Sequence, residues 1–292
     1  MKPEPTVAAN TSDILGESPV WDAATRSLWW VDMRRPALHR FDPVSRRTKT
    51  FSTPDLCPAI LPMEDGCFLV AIGLAFHRFD PANKTFEKLF EIEPPESGNR
   101  LNDSKCDRRG RLWSGTMRDF GAAKTGSIYR DADGAMVRAL GPVTGPNALS
   151  FSPANDRVYL CDTRDGAILA ADLDADGAPG AFRTFAPDAA APGKPDGATV
   201  DDEGYVWSAR FGGGCVARFS PSGALDRIIE IPATQVTACA FGGDDLATLY
   251  VTTARQQLSG PQLAAQPLAG ALFAFQPGPR GLPQAPCRLP RC

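Results

Sequence analysis

Residues 17–32 read Glu17-Ser18-Pro19-Val20-Trp21, a short turn, and then Leu28-Trp29-Trp30-Val31-Asp32. Two short apolar segments joined by a turn are typical of adjacent antiparallel strands. The unit recurs at intervals of about 40 to 50 residues, the period of a propeller blade. Its second segment starts at or near six positions, which are Leu28, Phe68, Leu112, Val158, Val206 and Leu249. The sequence therefore predicts an all-β fold, a six-bladed β-propeller with four antiparallel strands per blade.

The units fill nearly the whole chain, so we expect a single domain over residues 1–292, with loose termini at 1–11 and 280–292. No feature demands a partner subunit, and we expect a monomer or a weak homo-oligomer.

Composition excludes several classes of protein. The chain has 292 residues, is 43% hydrophobic and carries a net charge of −3. It has no basic stripe for nucleic acid and no apolar run long enough to cross a bilayer. The N-terminus lacks the apolar region of a signal peptide, and eight scattered cysteines without a CxxC pair indicate reduced core residues. We therefore expect a cytoplasmic protein that binds neither nucleic acid nor membranes.

Four polar residues share one position within the repeat, since each opens the first segment of its unit: Glu17, Asn102, Asn147 and Asp196. In a propeller the first strand of each blade lines the central channel, so we expect these side chains to converge at its mouth. The equivalent positions in units two and six, near Cys57/Pro58 and Thr237/Ala238, carry no charged ligand. The predicted site is therefore lopsided, with room for a substrate on its open side.

The residue types in the chain limit the chemistry of this site. Only two histidines are present, His39 and His77, both in a His-Arg-Phe-Asp context that repeats with the blades, so we interpret them as structural. Neither a Ser-His-Asp triad nor a histidine-rich zinc site can be assembled without a further histidine. A glutamate, an asparagine and an aspartate, with waters in the other positions, form instead an oxygen site for a divalent cation.

Residues 172–177 look at first like a calcium loop. An EF-hand needs a glutamate at its twelfth position, where this chain has Arg183, so we interpret the segment as a blade-end turn.

At the in-phase residues the chain resembles the gluconolactonase/senescence-marker-protein-30 (regucalcin-like) family of six-bladed propellers. The resemblance covers about residues 12–275. It rests on these segments in order: Leu15-Gly16-Glu17-Ser18-Pro19-Val20-Trp21, Arg100-Leu101-Asn102-Asp103, Gly115-Thr116-Met117, Pro146-Asn147-Ala148-Leu149-Ser150-Phe151-Ser152-Pro153, Lys194-Pro195-Asp196-Gly197, and Phe241-Gly242-Gly243-Asp244-Asp245-Leu246 followed by Leu249-Tyr250-Val251-Thr252-Thr253-Ala254.

The resemblance implies one divalent metal ion, held by Glu17, Asn147 and Asp196, with Asp196 also taking a proton from the attacking water. It implies that Arg100 and Asn102 contact a sugar lactone, and it places Asp119 where relatives supply a further acidic contact. The ion is calcium, zinc, magnesium, manganese or iron.

Two residues depart from the family pattern. Ala148 follows Asn147 where glycine is common, which can alter the backbone beside a ligand. Arg210 stands where relatives more often have an uncharged residue; we interpret it as an outward, solvated side chain. If it faced the channel instead, it would favour an anionic substrate.

These observations predict a metal-dependent hydrolase that opens the lactone ring of an aldonic acid, of the gluconolactonase, xylonolactonase or arabinonolactonase type. One alternative is a calcium-binding regulatory protein without catalysis. Another is a calcium-dependent esterase or phosphotriesterase-like propeller. A third, a propeller that serves only as a protein-binding platform, leaves the in-phase carboxylates unexplained.

Overall fold

The computed structural model describes residues 4–288. They form six four-stranded antiparallel sheets, and the prediction of a six-bladed propeller is confirmed. Blades one to three comprise β2–β5 (Gly16–Asp22, Ser27–Asp32, Ala37–Asp42, Arg47–Ser52), β6–β9 (Ala59–Pro62, Phe68–Ile72, Ala75–Asp80, Thr85–Glu91) and β10–β13 (Arg100–Cys106, Leu112–Met117, Gly126–Ala132, Ala135–Val143). Blades four and five comprise β14–β17 (Pro146–Phe151, Arg157–Asp162, Ile168–Asp172, Arg183–Ala186) and β18–β21 (Lys194–Val200, Val206–Phe211, Cys215–Phe219, Leu225–Glu230). Blade six comprises β22–β24 (Val236–Gly242, Thr248–Thr253, Leu272–Phe275) and β1 (Thr6–Ala9).

Each of the six positions that mark the repeat lies in the second strand of a blade. The first strands of neighbouring blades contact each other in a closed ring, which places them around the axis. Short apolar strands with turn residues between them suit this arrangement, because each strand pairs with the next one along the chain. In the described part of the chain the only α-helix is α1, Gly260–Ala265, within the connection between β23 and β24.

The N-terminal segment closes the ring. Strand β1 pairs with β24 (Thr6 with Ala274 and Val7 with Phe273), so the outermost strand of blade six comes from the start of the chain. The expectation of a loose terminus over residues 1–11 is therefore wrong for Thr6–Ala9. The physical reason is that Thr6–Ala9 forms the fourth strand of this blade. Without it, the outward-facing backbone groups of β24 would have no strand to pair with.

The C-terminal segment crosses the face of the propeller at which the first strands end. Gly281 donates to the carbonyl of Leu246 in blade six at 2.8 Å. Farther along, Cys287 donates to Pro62 of blade two at 2.7 Å and Arg288 donates to Gly110 of blade three at 2.9 Å. The expectation of a loose terminus over residues 280–292 is wrong for 281–288; residues 289–292 lie outside the described part. Backbone hydrogen bonds to several blades hold this segment in place.

The hydrophobic core lies between the blades. Trp29 of blade one packs against Phe68 of blade two with ring centroids 4.6 Å apart, and Trp207 of blade five packs against Phe241 of blade six at 5.9 Å. Large aromatic rings contribute much of the apolar area that holds neighbouring sheets together. The seven described cysteines are free and buried, as expected of core residues. Within residues 4–288, no helix has the length and apolar character to cross a membrane.

Candidate metal and substrate site

The four in-phase residues stand near the start of the innermost strands: Glu17 in β2, Asn102 in β10, Asn147 in β14 and Asp196 in β18. At each of them the pairing with the second strand shifts register. Blade two differs, because β6 pairs with β7 in unbroken register from Ala59 to Pro62. A bulge bends a strand and redirects its side chains. The bulges therefore allow consecutive residues of one strand to line the channel.

A small cavity of about 20 Å³ lies where these strands meet, large enough for one water or one ion. All six blades line it, through Glu17, Ser18, Pro19, Pro58, Asn102, Asp103, Lys105, Asn147, Gly197 and Ala238. Blades two and six contribute only Pro58 and Ala238, so neither carries a charged group, as the repeat predicts. Because these two blades flank blade one, the uncharged positions lie on either side of Glu17 rather than together on one side. Asp196 adjoins the cavity through its neighbour Gly197. A larger surface groove of about 790 Å³, beside Pro192 and Glu230, lies apart from these side chains.

Hydrogen bonds orient Asn147 within the site. Its Nδ2 donates to Oγ1 of Thr163 at 2.8 Å, and Thr163 donates in turn to the carbonyl of Pro195 at 2.9 Å. Its Oδ1 accepts from Nδ2 of Asn102 at 3.0 Å. The amide oxygen of Asn147 thus points toward the side where Asn102 lines the cavity, and it keeps a second lone pair for a ligand.

The carboxyl groups of the site repel one another. Burial raises the pKa of Glu17 well above its ordinary range, and the charges of Asp196 and Asp103 raise it further. Burial followed by the charge of Asp103 does the same for the pKa of Asp196, which is 6% exposed. In the part of the chain that the structure describes, no side chain donates a hydrogen bond to either carboxyl group. The ionised form of Glu17 is favoured by the backbone amide of Ser18 and by the charge of Arg100, and that of Asp196 by the backbone amide of Gly197. A cation between these groups would relieve this repulsion.

The donor set fits a hard divalent cation. Among residues 4–288 there is no cluster of three or more His, Cys, Asp or Glu side chains arranged for a metal. A metal here would therefore need the amide oxygen of Asn147 beside the carboxylates of Glu17 and Asp196, with water in the remaining positions. Carboxylate, amide and water oxygens are the ligands that calcium, magnesium and manganese prefer.

Two charged residues of the cavity, Asp103 and Lys105, escaped the sequence reasoning. In a regular strand Asp103 would face away from Asn102, but the bulge between Leu101 and Ser104 brings both to the cavity. Oδ2 of Asp103 accepts from the backbone N–H of Leu149 at 2.9 Å, and Nζ of Lys105 donates to the carbonyl of Ala198 at 3.1 Å. Burial raises the pKa of Asp103, and the ammonium of Lys105 opposes that rise. The only sequence signal for Asp103 was its place in the Arg100-Leu101-Asn102-Asp103 segment, and Lys105 had none.

A polar network extends from the cavity to the turns at the channel mouth. Nη1 of Arg100 donates to Oδ1 of Asn102 at 2.7 Å, and its Nε donates to the carboxylate of Asp119. Arg34, which the sequence reasoning did not single out, binds the same carboxylate through Nη1 and Nη2, both at 2.7 Å. Although burial opposes ionisation, the hydrogen bonds from Arg34 and Arg100 hold the pKa of Asp119 below its ordinary value. Asp119 is therefore engaged with two guanidinium groups. Arg34 and Asp119 lie in equivalent turns, directly after the second strands β3 and β11 of their blades. The repeat could therefore have indicated that both face the channel mouth.

Arg210 takes neither of the two places considered for it. Its side chain is neither solvated nor in the channel; it is 1% exposed and bonds backbone carbonyls of residues 188–193. Nε donates to Pro192 at 3.0 Å, and Nη2 donates to Ala191 at 3.0 Å and to Gly193 at 2.9 Å. The interpretation of an outward arginine is wrong because these carbonyls, in the loop before β18, supply a buried binding place for the guanidinium.

Ala148 adopts a left-handed backbone conformation with φ of 59°, which explains why glycine suits this position. Ser18, directly after Glu17, has φ of 50°. The bulges after Glu17 and Asn147 thus each contain a residue in the left-handed conformation, and Ala148 adopts that conformation although it is not a glycine.

Comparisons with known proteins show which family the chain resembles in sequence and in fold. A model of the SMP-30/Gluconolactonase/LRE-like region matches residues 15–255. The chain is 37% identical to a 6-deoxy-6-sulfogluconolactonase of Pseudomonas putida, over 89% of this chain and 90% of that one. It is 35% identical to an L-arabinolactonase of Azospirillum brasilense, over 96% and 94%. A crystal structure of a calcium-binding protein, regucalcin, from Agrobacterium tumefaciens superposes with a TM-score of 0.94 at 31% identity, covering 99% of each chain.

Proposed function

The chain belongs to the SMP-30/gluconolactonase/LRE-like family, and on that basis we propose that it is a metal-dependent hydrolase that opens the ring of a sugar lactone. The observation that carries this proposal is the small axial cavity, around which Glu17, Asn147 and Asp196 supply two carboxylates and an oriented amide oxygen. Similarity to enzymes named as lactonases for a sulfogluconolactone and for L-arabinolactone supports the reaction class.

Glu17, Asn147 and Asp196 would hold the divalent cation. When bound, such a cation polarises the lactone carbonyl and acidifies water. Asp196 takes the proton that the attacking water loses. Its buried position beside the cavity keeps bulk solvent from competing for that proton. Arg100 and Asn102 contact each other and lie beside Asn147, so they can orient the hydroxyl groups and ring oxygen of the substrate.

The test measures proton release from glucono-, xylono-, arabinono- and galactonolactone. The protein is stripped with a chelator and then supplied with calcium, magnesium, manganese, zinc or iron(II), one ion at a time. Turnover that is absent without metal and restored by at least one ion would support the proposal and rank both substrate and ion.

Tight metal binding with no turnover above spontaneous hydrolysis of any lactone would contradict it. That outcome would favour the calcium-binding regulatory alternative, which the similarity to regucalcin keeps open. Turnover of simple esters without turnover of lactones would favour the esterase alternative.

A further inference from the structure

Arg34 is held rigidly at the mouth of the channel. It lies in the turn between β3 and β4, with a side chain only 14% exposed. Besides its two bonds to Asp119, its Nε donates to Oε1 of Gln256 at 2.9 Å, and its guanidinium lies 4.7 Å from the centre of the Phe120 ring. Three residues from two loops therefore fix its direction, and a fixed guanidinium loses little conformational freedom when it binds an anion.

Two arginines share one carboxylate at this place. Arg34 and Arg100 both bind Asp119, so the three groups together carry one net positive charge. The side chain of Asp119 is 30% exposed and that of Arg100 is 10% exposed. The cluster is thus partly desolvated but open to the channel mouth, and such positions strengthen the attraction of an anion.

Both guanidinium groups keep unused donors. A guanidinium has five N–H groups. Within the described part of the chain, Arg34 uses three of them on Asp119 and Gln256. Arg100 also uses three, on Asp119, Leu101 and Asn102. Each arginine therefore retains two N–H groups for an oxyanion.

The cluster is continuous with the axial site. Arg100 bonds Asn102, and Asn102 bonds Asn147, one of the residues that would hold the metal. A lactone whose carbonyl faced the axial cavity would therefore have the two guanidinium groups along its length. A neutral polyol would not need a second arginine there, because the two unused N–H groups of Arg100 already supply donors for hydroxyl groups.

We propose that Arg34, together with Arg100, forms a subsite for an anionic substituent on the sugar lactone, which makes Arg34 a specificity-determining residue. This inference rests on the proposed lactonase function. The substituent is a carboxylate, sulfonate or phosphate, because all three present oxygens that a guanidinium binds through paired hydrogen bonds. The competing explanation is that Arg34 only anchors the turn that carries Asp119 and Phe120.

The experiment compares kcat and KM for glucono-δ-lactone, which is neutral, with those for 6-phosphoglucono-δ-lactone, 6-deoxy-6-sulfoglucono-δ-lactone and glucarolactone. We expect the metal-loaded wild-type protein to prefer at least one anionic lactone by about tenfold or more in kcat/KM. Arg34→Gln should lower kcat/KM for that lactone roughly 10- to 100-fold, mainly through KM, because a charge-assisted contact is lost. For the neutral lactone the change should stay within about threefold, and Arg34→Lys should restore part of the loss.

The neighbouring residue provides the control. Arg35 is 53% exposed and pairs with Asp32 and Asp13 rather than with Asp119. Arg35→Gln should leave the ratio of anionic to neutral turnover unchanged.

Wild-type protein that turns over neutral and anionic lactones equally would overturn the inference while the lactonase function stood. Equal losses on both substrates in Arg34→Gln would do the same and would assign Arg34 an anchoring role.

If no lactone is hydrolysed, the proposed function fails, and calorimetry then tests the subsite by itself. Binding of 6-phosphogluconate, 6-deoxy-6-sulfogluconate or glucarate that exceeds binding of gluconate and disappears in Arg34→Gln would support the subsite. Binding that is absent or independent of Arg34 would overturn it.

Discussion

The carboxyl group of Glu17, on blade one, is buried close to Asp196, on blade five; burial raises the pKa of the glutamate, and the charge of the aspartate raises it further. The two residues are far apart in the chain and meet only because the ring of blades closes. Burial and mutual repulsion make ionisation of these two groups unfavourable in the metal-free fold, and a bound cation would offset both, so stability and metal affinity are linked at this site.

The metal-free protein should lose stability as the pH rises. Because the folded-state pKa values of Glu17 and Asp196 are raised, the folded chain retains protons that the unfolded chain releases. That stabilisation is complete below the ordinary carboxyl pKa of about 4 and is lost as the pH passes through the raised values. Melting temperatures in chelator from about pH 4.5 to 8 measure the decline, and the stabilisation by added metal should grow over the same range.

Glu17→Gln serves as the control for this titration. The amide cannot ionise, so the metal-free variant should show a shallower decline and a higher melting temperature than the wild type near pH 7. An unchanged slope would show that the carboxyl group of Glu17 does not titrate in this range.

Asp196→Ala should reduce turnover far more than Asp119→Ala. Removal of a positioned base lowers rates by about 10²- to 10⁴-fold, and this variant also loses a metal oxygen. Asp119 instead pairs with Arg34 and Arg100, so its removal should have a smaller effect, about tenfold. Initial rates with saturating metal, together with calorimetric metal affinities, check the difference. Similar losses in both variants would contradict the role assigned to Asp196.

Arg210→Met should destabilise the fold by at least about 2 kcal/mol, because the carbonyls of Pro192, Ala191 and Gly193 lose a buried charged donor. Denaturant unfolding measures this loss. Arg183→Met is the matched control, since Arg183 is 59% exposed and pairs with Asp172 on the surface. The control should change stability by less than about 0.5 kcal/mol. A substrate-specific defect in Arg210→Met without destabilisation would revive a channel-facing role.

Gly110→Ala should displace the C-terminal segment. Gly110 has φ of +82°, and an added Cβ would lie 2.6 Å from the carbonyl oxygen of Pro286. Gly66 is the matched control, since it has φ of +79° and open space around its Cβ position. Both alanines incur the left-handed backbone strain of about 1–2 kcal/mol, but only Gly110→Ala should add a clash. The difference between the unfolding free energies of the two variants measures how strongly the C-terminal segment is held against Gly110. Equal values would show that the segment is not held at this position.

Much of the fold and part of the site could be predicted from sequence. Alternating short apolar segments and turn residues are local signals, and their recurrence at a constant interval predicts repeated blades. The shared phase of Glu17, Asn102, Asn147 and Asp196 then predicts a common radial position. The structure brings these residues to the axis, around a cavity in which Pro58 and Ala238 supply uncharged positions on either side of Glu17.

Other features have no local signal. The direction of Asp103 depends on a bulge that exists only when β10 pairs with β11, because a shift of one residue reverses the face of a side chain. The buried place of Arg210 is built by the loop before β18, and the bond of Arg34 to Asp119 joins turns of blades one and three. The sequence alone determined the repeating unit, the number of blades and the phase of the polar residues, because these follow from nearest-neighbour pairing. Tertiary structure decided which charges meet. Those contacts join residues that lie far apart in the chain, so they exist only after the blades close into a ring.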